Sequence, residues 1–226
     1  MAGVAALRER VAVLVIVDVL SFSTAVDVAV SKGAAVVPFA HGDRGAAELA
    51  ARRMGAALVH PRSAAGGQFS LSPASLMTVA AGTLLMLPSP NGSRLSLAGG
   101  ATPVLTGCLR NAAAVARVAR AMARDGAIGV VPAGERWPDD TLRPAIEDLL
   151  GAGAIIHHLD LPCSPEAQVA RDAFLSAGGQ LAGLIRDSVS GRELVGRGFA
   201  RDVDIALEIE ASDVAPLLSK GAYRAA

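Results

Sequence analysis

Short aliphatic runs alternate with longer Ala-rich stretches of helical period along most of this chain. The runs are too short for helices and rich in Val, Ile and Leu, so they read as buried strands. They predict strands over residues 11–17, 34–39, 56–59, 83–87, 103–106, 127–131 and 203–208. The periodic stretches predict helices over residues 23–31, 43–54, 72–80, 111–124, 142–151 and 165–185. Gly33, Gly55, Gly82 and Gly126 stand where these helices should stop, as a C′ glycine does. Ser164, followed by Pro165 and Glu166, has the form of an N-cap with proline in the first turn. Alternation of this kind predicts an α/β fold with a largely parallel or mixed sheet.

Three predicted strands end abruptly in small polar or charged residues. Val13 to Val17 runs into Asp18 and then Ser21-Phe22-Ser23-Thr24; residues 83–87 run into Pro88-Ser89-Pro90-Asn91-Gly92-Ser93-Arg94; residues 128–131 run into Ala133-Gly134-Glu135-Arg136. Ligands in open α/β folds sit at the carboxyl ends of strands, so the three junctions predict one site. The polar gap 60–71, with Gly66-Gly67, is the longest loop predicted, and loops of that length are usually functional or mobile. The tail from Asp187 breaks the rhythm and reads as an appendage, within one domain or two small lobes.

At 226 residues, 52% of them hydrophobic, the chain can bury a sizeable core. Its formal net charge is zero, so no basic surface points to nucleic acid or to an anionic membrane. The apolar run ending at Leu20 is too short to cross a bilayer and contains Asp18. Cys108 and Cys163, the only cysteines, have neither CxxC spacing nor a histidine cluster. A cytoplasmic protein, with a homodimer as the default assembly, is the expectation.

Asp18 is the sharpest single residue. A carboxylate closing a buried strand must be hydrogen-bonded, paired or metal-bound. It suits a Mg²⁺ ligand, and it also suits a carboxylate that caps neighbouring amides. Ser21, Ser23 and Thr24 fit either helix capping or a phosphate at a helix N-terminus. Asn91, Gly92, Ser93 and Arg94 have the residue types of an anion nest, with Gly92 at positive φ and Arg94 forking onto a phosphate; a plain Asn-Gly turn is the competing reading. Glu135 and Glu147 suit metal or acid–base roles, against surface pairing with Arg136 and Arg143. His41, His60, His157 and His158 are scattered. Neither a G-x-S-x-G elbow nor a G-x-G-x-x-G after the first strand is present, which weakens serine-hydrolase and dinucleotide-binding readings.

These segments, in this order, resemble the 2-phosphosulfolactate phosphatase family of ComB type. The matching stretches are Val15-Ile16-Val17-Asp18-Val19-Leu20 with Ser23-Thr24, residues 69–73 and 81–84, Ser89 through Ser93, Gly107-Cys108-Leu109-Arg110-Asn111, Pro132-Ala133-Gly134-Glu135, Glu147-Asp148, Ser190-Gly191-Arg192-Glu193-Leu194, Gly198-Phe199 and Asp202-Val203. The resemblance implies a three-layer α/β/α fold with a mixed, largely parallel sheet. It implies a Mg²⁺-dependent phosphatase acting on a small anionic phosphoester, converting 2-phosphosulfolactate to sulfolactate and phosphate. Asp18, Glu135, Glu147 and Asp148 would then hold or position the metal, with Asp18 and Glu135 catalytic. Ser21, Ser23, Thr24, Asn91, Gly92, Ser93, Arg94, Asn111 and Arg136 would contact phosphate. The chain departs from the family pattern at Ser21, where the family carries Arg, and around Pro61, Phe69–Pro73 and Ser89-Pro90. Those departures define a second reading, a non-hydrolysing member that binds an anionic metabolite in a regulatory or scaffolding role.

Overall fold

The computed structural model describes residues 2–40, 44–62 and 68–226. His41, the predicted helix start at Asp43 and the Gly66-Gly67 part of the predicted loop lie outside them. The first half of the chain forms α1 (Ala2–Leu7), β1 (Val13–Val17), α2 (Phe22–Ser31), β2 (Ala35–Ala40), α3 (Arg44–Met54), β3 (Ala57–Leu58), α4 (Pro73–Leu76), β4 (Leu84–Ser89), α5 (Gly92–Leu97) and β5 (Val104–Gly107). Then follow α6 (Ala112–Ala123), β6 (Ile128–Pro132), β7 (Glu135–Arg136), β8 (Leu142–Arg143), α7 (Ile146–Leu159), α8 (Pro165–Ala177), α9 (Leu181–Asp187), α10 (Val189–Gly196), α11 (Ala200–Ala206), β9 (Pro216–Ser219) and β10 (Ala222–Ala225).

Eight strands make one sheet in the order β3-β4-β2-β10-β9-β5-β1-β6. β3, β4 and β2 are mutually parallel, as are β5, β1 and β6. Between these triplets the pairings β2–β10, β10–β9 and β9–β5 are all antiparallel, so the triplets run in opposite directions. The stretch read from the sequence as an appendage therefore supplies the two central strands.

Both faces of the sheet are covered by helices, giving three layers. β1 shows why: all five of its residues are buried, with Val13, Val15 and Val17 in one apolar cluster and Leu14 and Ile16 in another. That is the period-2 geometry of a strand buried on both sides. The first cluster joins β1 to α6, α7 and α11; the second joins it to α2, β2, β4 and Tyr223 of β10. No helix among the described residues is long and apolar enough to cross a membrane.

Several sequence expectations change. Residues 203–208 are not a strand, since Ala200–Ala206 is helical. Val203 and Ala206 enter one apolar cluster and Ile205 the other, an arrangement that alternation alone mimics. The helix predicted from 142 begins at Ile146, because Leu142–Arg143 pairs with Glu135–Arg136 and Pro144 disfavours helical geometry before it. The helix predicted over 72–80 is only Pro73–Leu76; the Ser75 hydroxyl bonds the carbonyls of Ser70 and Ser72 instead, a local competitor of helix. The helix predicted over 165–185 breaks at Gly178, with φ +45°. At the end of α6 it is Arg124, not Gly126, that adopts positive φ.

A buried polar cluster ties α2 to the C-terminal region. Arg110 Nε donates to Asp27 Oδ2 at 2.8 Å, Nη1 donates to the Ile205 carbonyl at 3.2 Å, and the same group bonds Glu208. Burial raises the Asp27 carboxyl, partly offset by Ser212 and Arg110. Burial also pushes the neighbouring Cys108 thiol up to about 12, which makes it inert.

Candidate active site

β1 delivers Asp18 to a position only 6% exposed. Its Oδ1 accepts the Phe22 N–H at 3.2 Å and its Oδ2 accepts the Gly92 N–H at 2.9 Å. It thus fixes the start of α2 and the start of α5 together. Burial pushes the Asp18 carboxyl up to about 6, against the lowering effect of those two N–H groups. Asp148, on the first turn of α7, makes a second clamp of the same kind. Its Oδ1 accepts the Val19 N–H at 2.7 Å and its Oδ2 the Gly134 N–H at 2.9 Å, joining the loop after β1 to the loop after β6. Burial, then the charges of Asp18 and Glu147, hold it well above the usual carboxylate range.

Glu135, on β7, accepts a hydrogen bond from Asn91 Nδ2 at 3.0 Å. Burial and then the Asp18 charge push its carboxyl up to about 7. Glu147 is 2% exposed and its charge is felt by Asp18, Glu135 and Asp148. No hydrogen bond or ion pair reaches its carboxylate among the described residues. The predicted acidic group is therefore assembled from the end of β1, the strand β7 and the first turn of α7.

Its fit to a metal ion has two sides. No group of three or more His, Cys, Asp or Glu side chains among the described residues is arranged to hold one. Yet Glu147 makes no hydrogen bond or ion pair among the described residues, and Mg²⁺ takes only one or two carboxylates together with phosphate oxygens and water. The donor chemistry fits; a complete cage is not preassembled.

Beside Glu135 opens a cavity of about 470 Å³, lined by the β7–β8 hairpin (Glu135, Arg136, Trp137, Arg143), by Leu20 and Arg62, and by Ser190, Glu193, Leu194 and Arg197 of α10 and the residue after it. Four of these residues are arginines, so the cavity suits an anion. Arg136 Nη1 donates to the Asp140 carbonyl at 2.8 Å. Arg143 Nη2 donates to Glu193 at 3.1 Å and its guanidinium lies 5.6 Å from the centre of the Trp137 ring. The surface pairing expected of Arg136 and Arg143 with Glu135 or Glu147 is thus made with Asp140 and Glu193 instead.

Several predicted phosphate contacts turn inward. Ser23 and Thr24 are fully buried; the Ser23 hydroxyl bonds Thr106 at 2.7 Å and the Thr24 hydroxyl donates to the Val19 carbonyl at 2.8 Å. The Ser93 hydroxyl donates to the Leu87 carbonyl at 2.7 Å. Arg94 lies on the exposed side of α5. Asn111 is buried, accepting from the Cys108 N–H at 2.9 Å and donating to the Val214 carbonyl at 3.1 Å. The 91–94 stretch is the start of α5, not an open nest, and Gly92 is not at positive φ. Glycine is required there for space: a Cβ would stand 2.1 Å from Phe22 Cδ1. Ser21 stays at the site, its hydroxyl accepting a hydrogen bond from Arg62 Nη2.

Arg62, Arg197, Glu193 and Asp202 were not singled out as site residues from the sequence. Arg62 pairs with Asp202 across 140 positions at 2.9 Å, and no local pattern signals such a pair.

A family model for 2-phosphosulpholactate phosphatase matches residues 4–221, nearly the whole chain. The chain belongs to that family. No curated protein matches it.

Proposed function

We propose that this member of the 2-phosphosulpholactate phosphatase family is a Mg²⁺-dependent phosphatase of a small phosphorylated hydroxy acid, with 2-phosphosulfolactate as the substrate. The observation that carries this reading is Glu135, a carboxyl pushed up to about 7 on the wall of an arginine-lined cavity and beside Asp18. A group titrating near neutral pH is suited to proton transfer in either direction.

Hydrolysis breaks the ester P–O bond, bonds a water oxygen to phosphorus, and leaves a proton on the departing alkoxide. In this reading Glu135 moves that proton, and the Asn91 amide donates to its Oε2. Arg136 on the cavity wall, Asn91 next to Glu135 and Ser21 next to Arg62 are among the polar groups available to phosphoryl oxygens. Glu147, with Asp18 behind it, would hold the ion and leave Glu135 to the proton; when bound, Mg²⁺ would polarise the phosphoryl group and lower the pKa of water. Asp148 keeps the β1 and β6 loops in register.

A second reading has its own support: Asp18 and Asp148 already spend their oxygens on backbone amides, as clamps in a protein that binds an anion without hydrolysing it would. Phosphate release from 2-phosphosulfolactate, phospholactate and an aryl phosphate, with Mg²⁺ and with chelator, separates the two. Mg²⁺-dependent release supports the phosphatase. Folded protein that binds phosphate but releases none from any ester sinks it.

A further inference from the structure

Asp202 is 1% exposed, and both its oxygens are occupied. Oδ1 accepts from the Ser72 hydroxyl and from the Ala74 N–H at 3.3 Å. Oδ2 accepts from Arg62 Nε at 2.9 Å. Further along the guanidinium, Nη2 donates to the Ser21 hydroxyl, and the Phe199 ring lies 5.7 Å from the guanidinium carbon. Nη1 makes no hydrogen bond among the described residues. Arg62 also lines the cavity that Glu135 lines.

A guanidinium is a planar fork with five donors. Here one edge is pinned by a buried carboxylate, a second group is held by Ser21, and an aromatic ring packs against it. Among the described residues, what is left is a pre-oriented donor at an arginine-lined cavity. A buried ion pair contributes little net stability, because desolvation offsets its attraction; its product in this case is geometry. Arg suits this use better than Lys, since its fork matches phosphate and carboxylate oxygens.

We propose that Arg62 contacts an anionic oxygen of the substrate, and that Asp202 is the positioning residue that aims it. The proposal rests on the anion-binding part of the function proposed above, and it names the cation at the Ser21 corner of the site. It also assigns α11 a part in the site, although α11 supplies no residue to the cavity wall.

Isothermal titration with inorganic phosphate, on wild-type, Arg62→Ala, Arg62→Lys and Asp202→Asn proteins, tests it alongside steady-state turnover. Arg62→Ala is expected to weaken phosphate binding by about tenfold or more, and added guanidinium should restore part of it. Asp202→Asn keeps an acceptor for Ser72 and Ala74 but turns a donor toward Arg62 Nε. It should raise KM while changing kcat less. Should Arg62→Ala fail to fold, Arg62→Lys decides, since it keeps the charge without the fork; weaker binding supports the proposal and wild-type affinity overturns it. Wild-type affinity in a folded Arg62→Ala protein, or no phosphate binding by the wild type, overturns the Arg62 assignment. Destabilisation of Asp202→Asn with unchanged phosphate affinity and KM overturns the role of Asp202. A wild type that binds phosphate and hydrolyses nothing sinks the phosphatase reading alone, and the variants' affinities still decide this one.

Discussion

The Gly92 N–H reaches Asp18 Oδ2 at 2.9 Å, although β4 and β1 have β2, β10, β9 and β5 between them in the sheet. In a flat sheet that separation would be about 24 Å, at about 4.8 Å per strand. The chain after β4 therefore folds back across the sheet, and α5 packs against β2 and β1 as well as β4. Phe22 fills the angle between them, its ring 6.1 Å from that of Tyr223, whose hydroxyl donates to Ser96 at 2.7 Å.

Gly92→Ala is expected to break this junction. The added methyl would collide with Phe22, and overpacking in a well-filled core costs about 1–3 kcal/mol. Urea denaturation should show the loss, and catalysis should fall with it because relieving the clash shifts the N–H of residue 92 away from Asp18 Oδ2. An unchanged urea midpoint would mean that the junction has room to spare.

Glu135→Gln should lower kcat by about 10²-fold or more, the usual size of a general acid–base contribution. The pH–rate profile of the wild type should show a limb near 7, and that limb should vanish in the variant. A limb that persists would assign it to another group.

The acidic cluster sets the sign of a stability trend. The folded pKa values of Glu135 and Asp18 lie above their ordinary values, at about 7 and about 6. The native state therefore holds more protons than the unfolded state across this window, and stability falls as pH rises. The contribution is neutral below about pH 4 and fully unfavourable above pH 7. Thermal melts should give this cluster a Tm contribution that drops from pH 5 to pH 8. Glu135→Gln should flatten the trend, and Mg²⁺ should raise Tm more at pH 8 than at pH 5. Equal slopes in wild type and variant would rule Glu135 out as a source.

Much of this was legible because one principle governed it. Val13 to Val17 could only be a doubly buried strand, so the carboxylate after it had to be answered by nearby donors, and it is. Glu135 and Glu147 were readable together as candidate metal or acid–base groups, whereas Asp148 joined them only through the resemblance. What escaped was non-local. Pro216–Ser219 and Ala222–Ala225 are short strands without a clear alternation, placed in the sheet by pairing with β5 and β2. Ser23, Thr24, Ser93 and Asn111 have the residue types of phosphate ligands, and only packing reveals that their polar groups are spent on the chain itself. Arg62 could not be linked to Asp202 by any spacing rule.

Arg110 offers a test of the second buried polar cluster. Arg110→Met leaves Asp27 with neither its ion-pair partner nor, at Oδ1, any hydrogen bond. Removing one partner of a buried pair costs about 3–5 kcal/mol. The double variant Asp27→Asn/Arg110→Met should recover part of that loss in chemical denaturation. A double variant no more stable than Arg110→Met would show that the pair itself is not the source of the cost.

The place of the β9–β10 hairpin has a consequence for how the molecule is born. As the chain leaves the ribosome, β1 to β6 exist before the two strands that join them. Until residues 216–225 emerge, β2 and β5 each present an open edge with unpaired N–H and C=O groups, the kind of surface on which chains stick to one another. Of the eight strands of this sheet, the latest in chain order are the ones that make its two halves one.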